Sequence, residues 1–471
     1  MLRIASRLIL WLVPLVAVWA VVGRAYAQDA EAVAANPGDV AWILTSSAIV
    51  LMMTIPGLAL FYGGLVRAKN VLSILMQCLI AAGLMSLLWV VAGYSLAFSG
   101  EGSFIGNLDK AMLDGITPDT LWGYSIAFGP DVAGGFLGDP WALFALRGVP
   151  ADAGPGDTGQ LNMIFQLMFA AITPALIVGA FAERMKFSAF FLFTLAWSTL
   201  IYAPLCHWVW GPDGWLGALG ALDFAGGTVV HISSGTAALV AALMIGRRRG
   251  YGARPMPPHN VPYTVVGAAL LWVGWFGFNS GSALAADGTA VLAFVNTNTA
   301  TGAAVLGWLL AEWLGRGKPT VLGAATGAVA GLVAITPACG FVDMPGSLVI
   351  GLGAGLLCYK ACSLKNKLGY DDALDVVGVH GVGGTWGALM TGVLAVESGA
   401  VYGFGWGQFG EQVIAVLATY AFVGVGSFAI LGIVNLAVGL RVDPESEEGG
   451  LDLAEHSESA YSTQPGTPVA E

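Results

Sequence analysis

Two histidines each stand eight residues after an aspartate, inside two of the most apolar stretches of the chain: Asp223 precedes His231, and Asp372 precedes His380. Burying an imidazole in hydrocarbon without a partner costs on the order of several kcal/mol. An ionisable residue at membrane depth therefore marks a functional site by default. Imidazole titrates near neutrality and both donates and accepts hydrogen bonds. Two of them in matching places outline a pathway.

The elements that must carry them follow from composition. Of 471 residues 56% are hydrophobic and only 10% charged, far more apolar surface than one soluble core uses. The chain reads as an all-α polytopic membrane protein. After the first 30 residues, eleven runs are long enough to cross a hydrocarbon core of about 30 Å as helices: 40–66, 71–98, 161–182, 187–210, 224–246, 261–282, 289–311, 320–342, 344–359 with an extension into 360–364, 376–396 and 413–440. Leaving aside the extension 360–364, which holds Lys360, His207, His231 and His380 are the ionisable Lys, Arg, Asp, Glu or His residues within those runs. Ahead of them, Arg3 and Arg7 precede a short apolar stretch, and Ala25-Tyr26-Ala27 has the form of a cleavage site, so 1–27 reads as a cleaved signal peptide. The expected organisation is a signal over 1–27, a membrane domain over 28–440 and a tail over 441–471.

Basic residues set the orientation. Apart from Arg3, Arg7 and Arg24 in the signal and Lys110 and Arg147 in the loop after the second run, every Lys and Arg falls after an odd-numbered run. The positive-inside rule makes those ends cytoplasmic, with the mature N-terminus outside and the C-terminus inside. The net charge of −11 is concentrated in the loop 99–160 and the tail, which reads first as solvated surface and second as a mild concentrator of cations. The five scattered cysteines show no metal or redox spacing and read as small apolar packing residues.

Runs one to five and six to ten form two sets of five, so the second set starts on the opposite side of the membrane, giving an inverted five-plus-five repeat. Eight helical residues advance about 12 Å, which carries His231 and His380 from opposite faces to the midplane, where inverted-repeat transporters keep their sites. Small residues surround both histidines: Gly226, Gly227, Ser233, Ser234 and Gly235 around the first, Gly378, Gly381, Gly383 and Gly384 around the second. They allow close helix approach in lipid. Gly351-Leu352-Gly353-Ala354-Gly355 lies within a run and reads as packing rather than a nucleotide loop. Asp223 stands where a helix N-cap belongs, positioned to accept from the amides of Ala225 and Gly226. As a buried anion it can equally help a cation, and both readings stay open, as they do for its repeat counterpart Asp372.

At these residues the chain resembles a known family. The segment from Asp223 to His231 is similar to the defining segment of the Amt/MEP/Rh ammonium transporters in their bacterial Amt branch. The segment from Asp371 to Gly384 is similar to its second histidine segment, and the likeness extends over about 37–462. The resemblance implies ammonium transport through a twin-histidine pore, not enzymatic activity. It implies that Phe169 and Phe278 stack as an outer gate, that Trp210, Phe165 and Ser282 form an external cation site, and that Trp275 lines the pore below. An aromatic ring attracts ammonium through its quadrupole by about 0.5–2 kcal/mol, and Ser282 can accept one of its hydrogens. A dry constriction excludes potassium, which cannot shed its charge, whereas ammonium can give up a proton and cross as ammonia.

The resemblance further implies a bacterial inner-membrane homotrimer and a tail contacting a trimeric PII-type signalling protein, with Arg441 to Ser462 similar to the family's regulatory tail. Composition alone reads the same tail as disordered. No cofactor, metal or nucleic acid is expected. The alternatives are an electroneutral ammonia channel, an ammonium sensor and, remotely, a membrane redox protein with His231 and His380 ligating one haem.

Overall fold

A computed structural model of the chain describes residues 36–99, 102–104 and 159–461. The expected signal segment and most of the loop 99–160 lie outside the described residues. The fold is all-helical. Among the described residues, nine helices are long and apolar enough to cross a membrane: α1 (Pro37–Leu65), α2 (Ala68–Phe98), α3 (Gln160–Phe181), α4 (Phe187–Leu219), α5 (Gly227–Ile245), α6 (Val261–Ala283), α7 (Gly288–Arg316), α9 (Met344–Leu368) and α11 (Gly407–Val438). Two shorter helices, α8 (Val321–Ile335) and α10 (377–394), complete the set. The tail adds α12 (Pro444–Gly449) and α13 (Leu451–His456).

Several helices overrun or fall short of the apolar runs. α7 and α9 continue to Arg316 and Leu368, so they take in the ionisable Glu312, Lys360, Lys365 and Lys367. Glu312 is buried and accepts from the Thr320 amide at 2.9 Å and hydroxyl at 3.0 Å; a carboxylate partnered this way tolerates a helix end. α8 stops at Ile335, seven residues early, just ahead of Thr336 and Pro337, because proline has no N–H to continue the ladder.

Glycines let the helices touch. A Cβ on Gly267 of α6 would lie 2.2 Å from the Phe61 amide nitrogen of α1, and one on Gly351 of α9 would lie 2.1 Å from the Ala300 carbonyl of α7. The run from Gly351 to Gly355 is thus helix packing, as its place in the sequence implied. In hydrocarbon, where lipid is as apolar as leucine, association depends on such close contact.

At the end of the bundle bearing most of the Lys and Arg, here the basic face, buried ion pairs join the connections. Glu183 follows α3, has a left-handed backbone (φ 70°) and pairs with Arg67 at 2.7 Å and Arg248 at 3.3 Å. Arg248 also pairs with Asp371 at 2.9 Å. The tail is docked on this face: Asp452 accepts from the Ser73 amide, Asn70 from the Leu451 amide, and Glu455 from the Phe187 amide. Composition pointed to a disordered segment; these buried polar contacts explain why 441–461 is ordered instead.

Burial works against the Glu183 carboxylate, but Arg248 and Arg67 outweigh it and hold its pKa below the usual range. Asp371 is held low against burial by Arg248 in the same way. A depressed folded-state pKa adds stability that is present at neutral pH and lost as pH falls through the folded value. Glu183→Gln, which leaves two guanidinium groups facing a neutral amide, is expected to cost about 3 kcal/mol. The readout is a lower thermal midpoint of the detergent-purified protein at pH 7, with a shallower further loss below about pH 4 than in the wild type. A variant that melts with the wild type at pH 7 would show that the network does not clamp this face.

Candidate functional site

α5 and α10 cross backbone to backbone. A Cβ on Gly235 would lie 2.3 Å from the Gly381 nitrogen and 2.4 Å from its Cα, and one on Gly384 would lie 3.0 Å from the His231 Cβ. Both histidines sit in wide π-helical turns, Gly227–Ile232 and Val377–Gly381, a local irregularity that recurs at functional sites. The two imidazoles meet at this crossing. Their Nδ1 atoms are 3.2 Å apart and the rings are stacked at 30° with centroids 5.3 Å apart.

A hydrogen bond between two Nδ1 atoms of neutral rings needs one protonated and one bare nitrogen. The ring that donates at Nδ1 then carries a bare Nε2, and its neighbour carries Nε2–H. The pair therefore offers one acceptor and one donor edge, and moving protons through the bond exchanges those roles. The Nε2 of His231 meets no protein partner among the described residues.

Aromatic rings continue the column away from the histidines. His231 stacks on Trp275 (5.4 Å, 21°) and Trp275 packs against Phe278 at 5.4 Å. Phe278 and Phe169 overlap closely, with centroids 4.2 Å apart at 32°, and each is at most 1% exposed. Phe169 meets Phe165 at 5.0 Å and Trp210 at 5.8 Å, both edge-on. Beyond these rings opens a cavity of about 350 Å³ lined by Phe165, Gln166, Phe169, Trp210, Phe224 and Ser282, among others. The Ser282 hydroxyl donates to the Phe278 carbonyl at 2.8 Å, which leaves its oxygen lone pairs as acceptors. A smaller pocket of about 50 Å³ lies on the other side of the pair, lined by His380 together with Phe61, Tyr62, Val379 and Asp375, among others.

Asp223 is a helix cap. Its carboxylate accepts from the amides of Gly226 (2.8 Å), Gly227 (2.5 Å), Thr228 (2.8 Å) and Val229 (3.3 Å), and from the Thr228 hydroxyl. The cap is one residue further along than the spacing implied: Gly226 and Gly227 are held, not Ala225, because Gly226 turns through φ 111°, a conformation glycine adopts freely. Five donors occupy the roughly four lone-pair sites of a carboxylate, so Asp223 has no oxygen left for a direct substrate bond. Its backbone carbonyl accepts from the Trp210 indole N–H at 2.9 Å. Asp372 lies apart from the column near the basic face, where it accepts from the Val377 amide at 2.8 Å. Burial pushes its carboxyl up to about 6, against the pull of Lys365.

Phe165, Phe169, Trp210, Trp275, Phe278, Ser282, His231 and His380 thus fall on one continuous line from the Trp210 cavity to the histidine pair, Asp223 borders it through the bond from its carbonyl to Trp210, and Asp372 lies apart. Three supporting residues carried no signal in the sequence. Thr336 accepts from the Trp275 indole N–H at 2.8 Å and faces the Asn279 amide oxygen at 3.3 Å, while Asn279 donates to Thr297 at 2.9 Å. A threonine or asparagine in an apolar run reads as a helix side chain bonded to its own turn, and only the tertiary structure shows what it holds.

The sequence matches the Ammonium Transporter Family model over residues 41–121 and 120–461. It is 48% identical over 431 residues to the ammonium transporter of Bacillus subtilis, covering 90% of this chain and 98% of that one. Its structure is similar to that of Mep2 from Saccharomyces cerevisiae, with a TM-score of 0.75 at 33% identity over 88% of this chain and 89% of that one. It is also similar to a structure described as a sensor Amt protein, with a TM-score of 0.76 at 29% identity over 89% of this chain and 98% of that one.

The crossing beneath the histidines gives a sharp steric expectation. Gly235→Ala places a methyl group against the Gly381 backbone and is expected to cost about 3 kcal/mol or more, seen as a lower thermal midpoint. Gly424→Ala on α11, whose Cβ would meet Thr236 at an ordinary 3.7 Å, should melt with the wild type. Equal midpoints for the two variants would mean that the α5–α10 contact is not as tight as described.

Proposed function

The chain belongs to the ammonium transporter family, and from that premise we propose that it captures ammonium at the Trp210 cavity, deprotonates it at the phenylalanine gate and conducts ammonia and proton past His231 and His380. The protein is an ammonium transporter and a multi-pass membrane protein, not an enzyme. The observation that carries the finer reading is the continuous column from Trp210 through Phe169 and Phe278 to the bonded imidazoles.

Each part has a chemical task on this reading. Trp210 and Phe165 present π faces to a cation, with Ser282 as an acceptor. The overlapped phenylalanines exclude the hydration shell, so a permanent ion meets a desolvation barrier that ammonia does not. Beyond them the histidine pair replaces water for ammonia, and its Nδ1–Nδ1 bond is a path for the released proton. Asp223 fixes the start of α5 and adds a buried negative charge beside the cavity. Reprotonation follows on the basic face.

Several finer features belong to the same proposal. The helices form an eleven-span inverted five-plus-five repeat with α11 outside it. The basic face is cytoplasmic and the Trp210 face external, in a bacterial inner membrane, which the placement of Lys and Arg supports. Three copies assemble, each with its own pore, and a PII-type protein contacts the basic face, where the ordered tail offers a surface. Sensing is the second reading, favoured by the similarity to a sensor Amt protein.

Currents from proteoliposomes on a supported membrane test the mechanism. Ammonium pulses should evoke a saturable current and potassium pulses none, and a double variant carrying His231→Ala and His380→Ala should lose either the current or that selectivity. Selective current that persists in the double variant would sink the proton route. Acidification or alkalinisation inside vesicles without current would indicate neutral ammonia passage, and ammonium binding without either would indicate sensing. For the tail, a purified PII-type protein should co-sediment with vesicles displaying the basic face and lose that binding on truncation after Arg441; equal retention by the truncated protein would remove the tail from that contact.

A further inference from the structure

Gln412, in the second turn of α11, is 1% exposed and remote in sequence from every residue of the column. Its amide grips the irregular segment between α4 and α5. Oε1 accepts from the Leu222 amide at 2.7 Å, and Nε2 donates to the carbonyls of Leu222 at 2.8 Å and of Ala388, on α10, at 2.9 Å. One turn earlier, Gln408 donates to the Gly220 carbonyl at 2.8 Å. Residues 221–223 belong to no helix or strand, and both the amide and the carbonyl of Leu222 take this one side chain as a partner. The next carbonyl along the chain, that of Asp223, is the one that receives the Trp210 indole N–H.

A buried amide that makes three bonds to two separate segments has little rotational freedom, and it transmits that fixity to the peptide it holds. We infer that Gln412 is a positioning residue of the substrate site: by fixing the Leu222–Asp223 peptide it sets where the Asp223 carbonyl holds the Trp210 indole, and so how tightly the outer cavity captures ammonium. The inference rests on the reading of Trp210 as part of the cation site. It brings into the site a helix that contributes no ring and no histidine to the pore.

The effect belongs to capture rather than conduction, because Gln412 bonds to no ring of the gate and to neither histidine, and its contact with α10, at Ala388, lies eight residues beyond His380. The half-saturating ammonium concentration and the maximal current of reconstituted protein separate the two. Gln412→Leu, apolar and of similar volume, is expected to raise the half-saturating concentration about five-fold while the maximal current stays within about two-fold. Trp210→Phe keeps a ring but has no N–H for Asp223 and should raise it comparably. The double variant should go no further than the larger single effect, since both changes break one linkage.

Multiplying effects in the double variant overturn the inference, as does an unchanged half-saturating concentration in Gln412→Leu beside a raised one in Trp210→Phe. An unchanged value in Trp210→Phe overturns the cation-site reading, and the inference with it. A merely structural Gln412 would lower the maximal current and the thermal midpoint and leave half-saturation alone. If Gln412→Leu fails to fold, Gln412→Glu, which keeps the acceptor for the Leu222 amide but, when ionised, has no donor for the Leu222 and Ala388 carbonyls, carries the same expectation.

Discussion

The structure depends on one contact: the crossing of α5 and α10 at Gly235 and Gly381, where a Cβ on Gly235 would run into the Gly381 backbone. Packed helices ordinarily keep their axes about 8–10 Å apart, with side chains between them. Here the backbones themselves touch, and only from that distance can two imidazoles rooted on different helices share a hydrogen bond of 3.2 Å. The glycines around the histidines are therefore part of the site. They set the length of its central bond, and the π-helical turns that hold His231 and His380 set its direction.

A dry column solves a problem that size cannot. Potassium and ammonium are close in radius, so a polar pore wide enough for one admits the other. The overlapping Phe169 and Phe278 rings are at most 1% exposed, and an uncompensated charge carried through such a constriction faces a penalty well beyond the roughly 0.5–2 kcal/mol that aromatic faces return. The difference selects for a species that can discard its charge. On the proposed reading, rings attract the cation at the mouth and still refuse it further in, because the same groups act in water at one end and without it at the other. The saturated Asp223 carboxylate agrees with that division: it shapes the entrance while its oxygens remain committed to backbone amides.

Much of this was legible from residue types. A histidine in an apolar run must be functional or partnered, and the eight-residue spacing from each aspartate places both rings at one depth. Helix existence was equally plain, since long apolar runs have few alternatives in lipid. The ends were not. α7 and α9 run on through Glu312 and Lys365, whose charges are partnered by Thr320 and by Asp375, so the loss of apolar composition did not coincide with the end of a helix. The tail misled for a related reason: its acidic composition suggests solvation, but Asp452 and Glu455 each accept from a backbone amide of another segment. Polar partners such as Thr336 and Gln412 were invisible because their value lies in what they reach, and reach is a property of the packed bundle.

Viewed from α11, the bundle has a strap. About 48 Å long by its residue count, that helix touches the rest at four levels. Gln412 and Gln408 hold the segment before Asp223, and Tyr420 reaches the Thr385 hydroxyl at 2.7 Å and the Gly381 carbonyl at 3.4 Å. Ser427 takes the Trp197 indole N–H at 3.0 Å, and the Val438 and Leu440 carbonyls bind Lys186. A helix with no residue in the column thus contacts the segment beside the Trp210 cavity, the backbone of the histidine crossing and the basic face. Lipid offers no hydrophobic gain for keeping helices together, so directional bonds of this kind are what can hold two helix sets in one register. The tail begins where α11 ends, which gives any force applied at the basic face a single continuous element along which to act on the residues that hold Trp210.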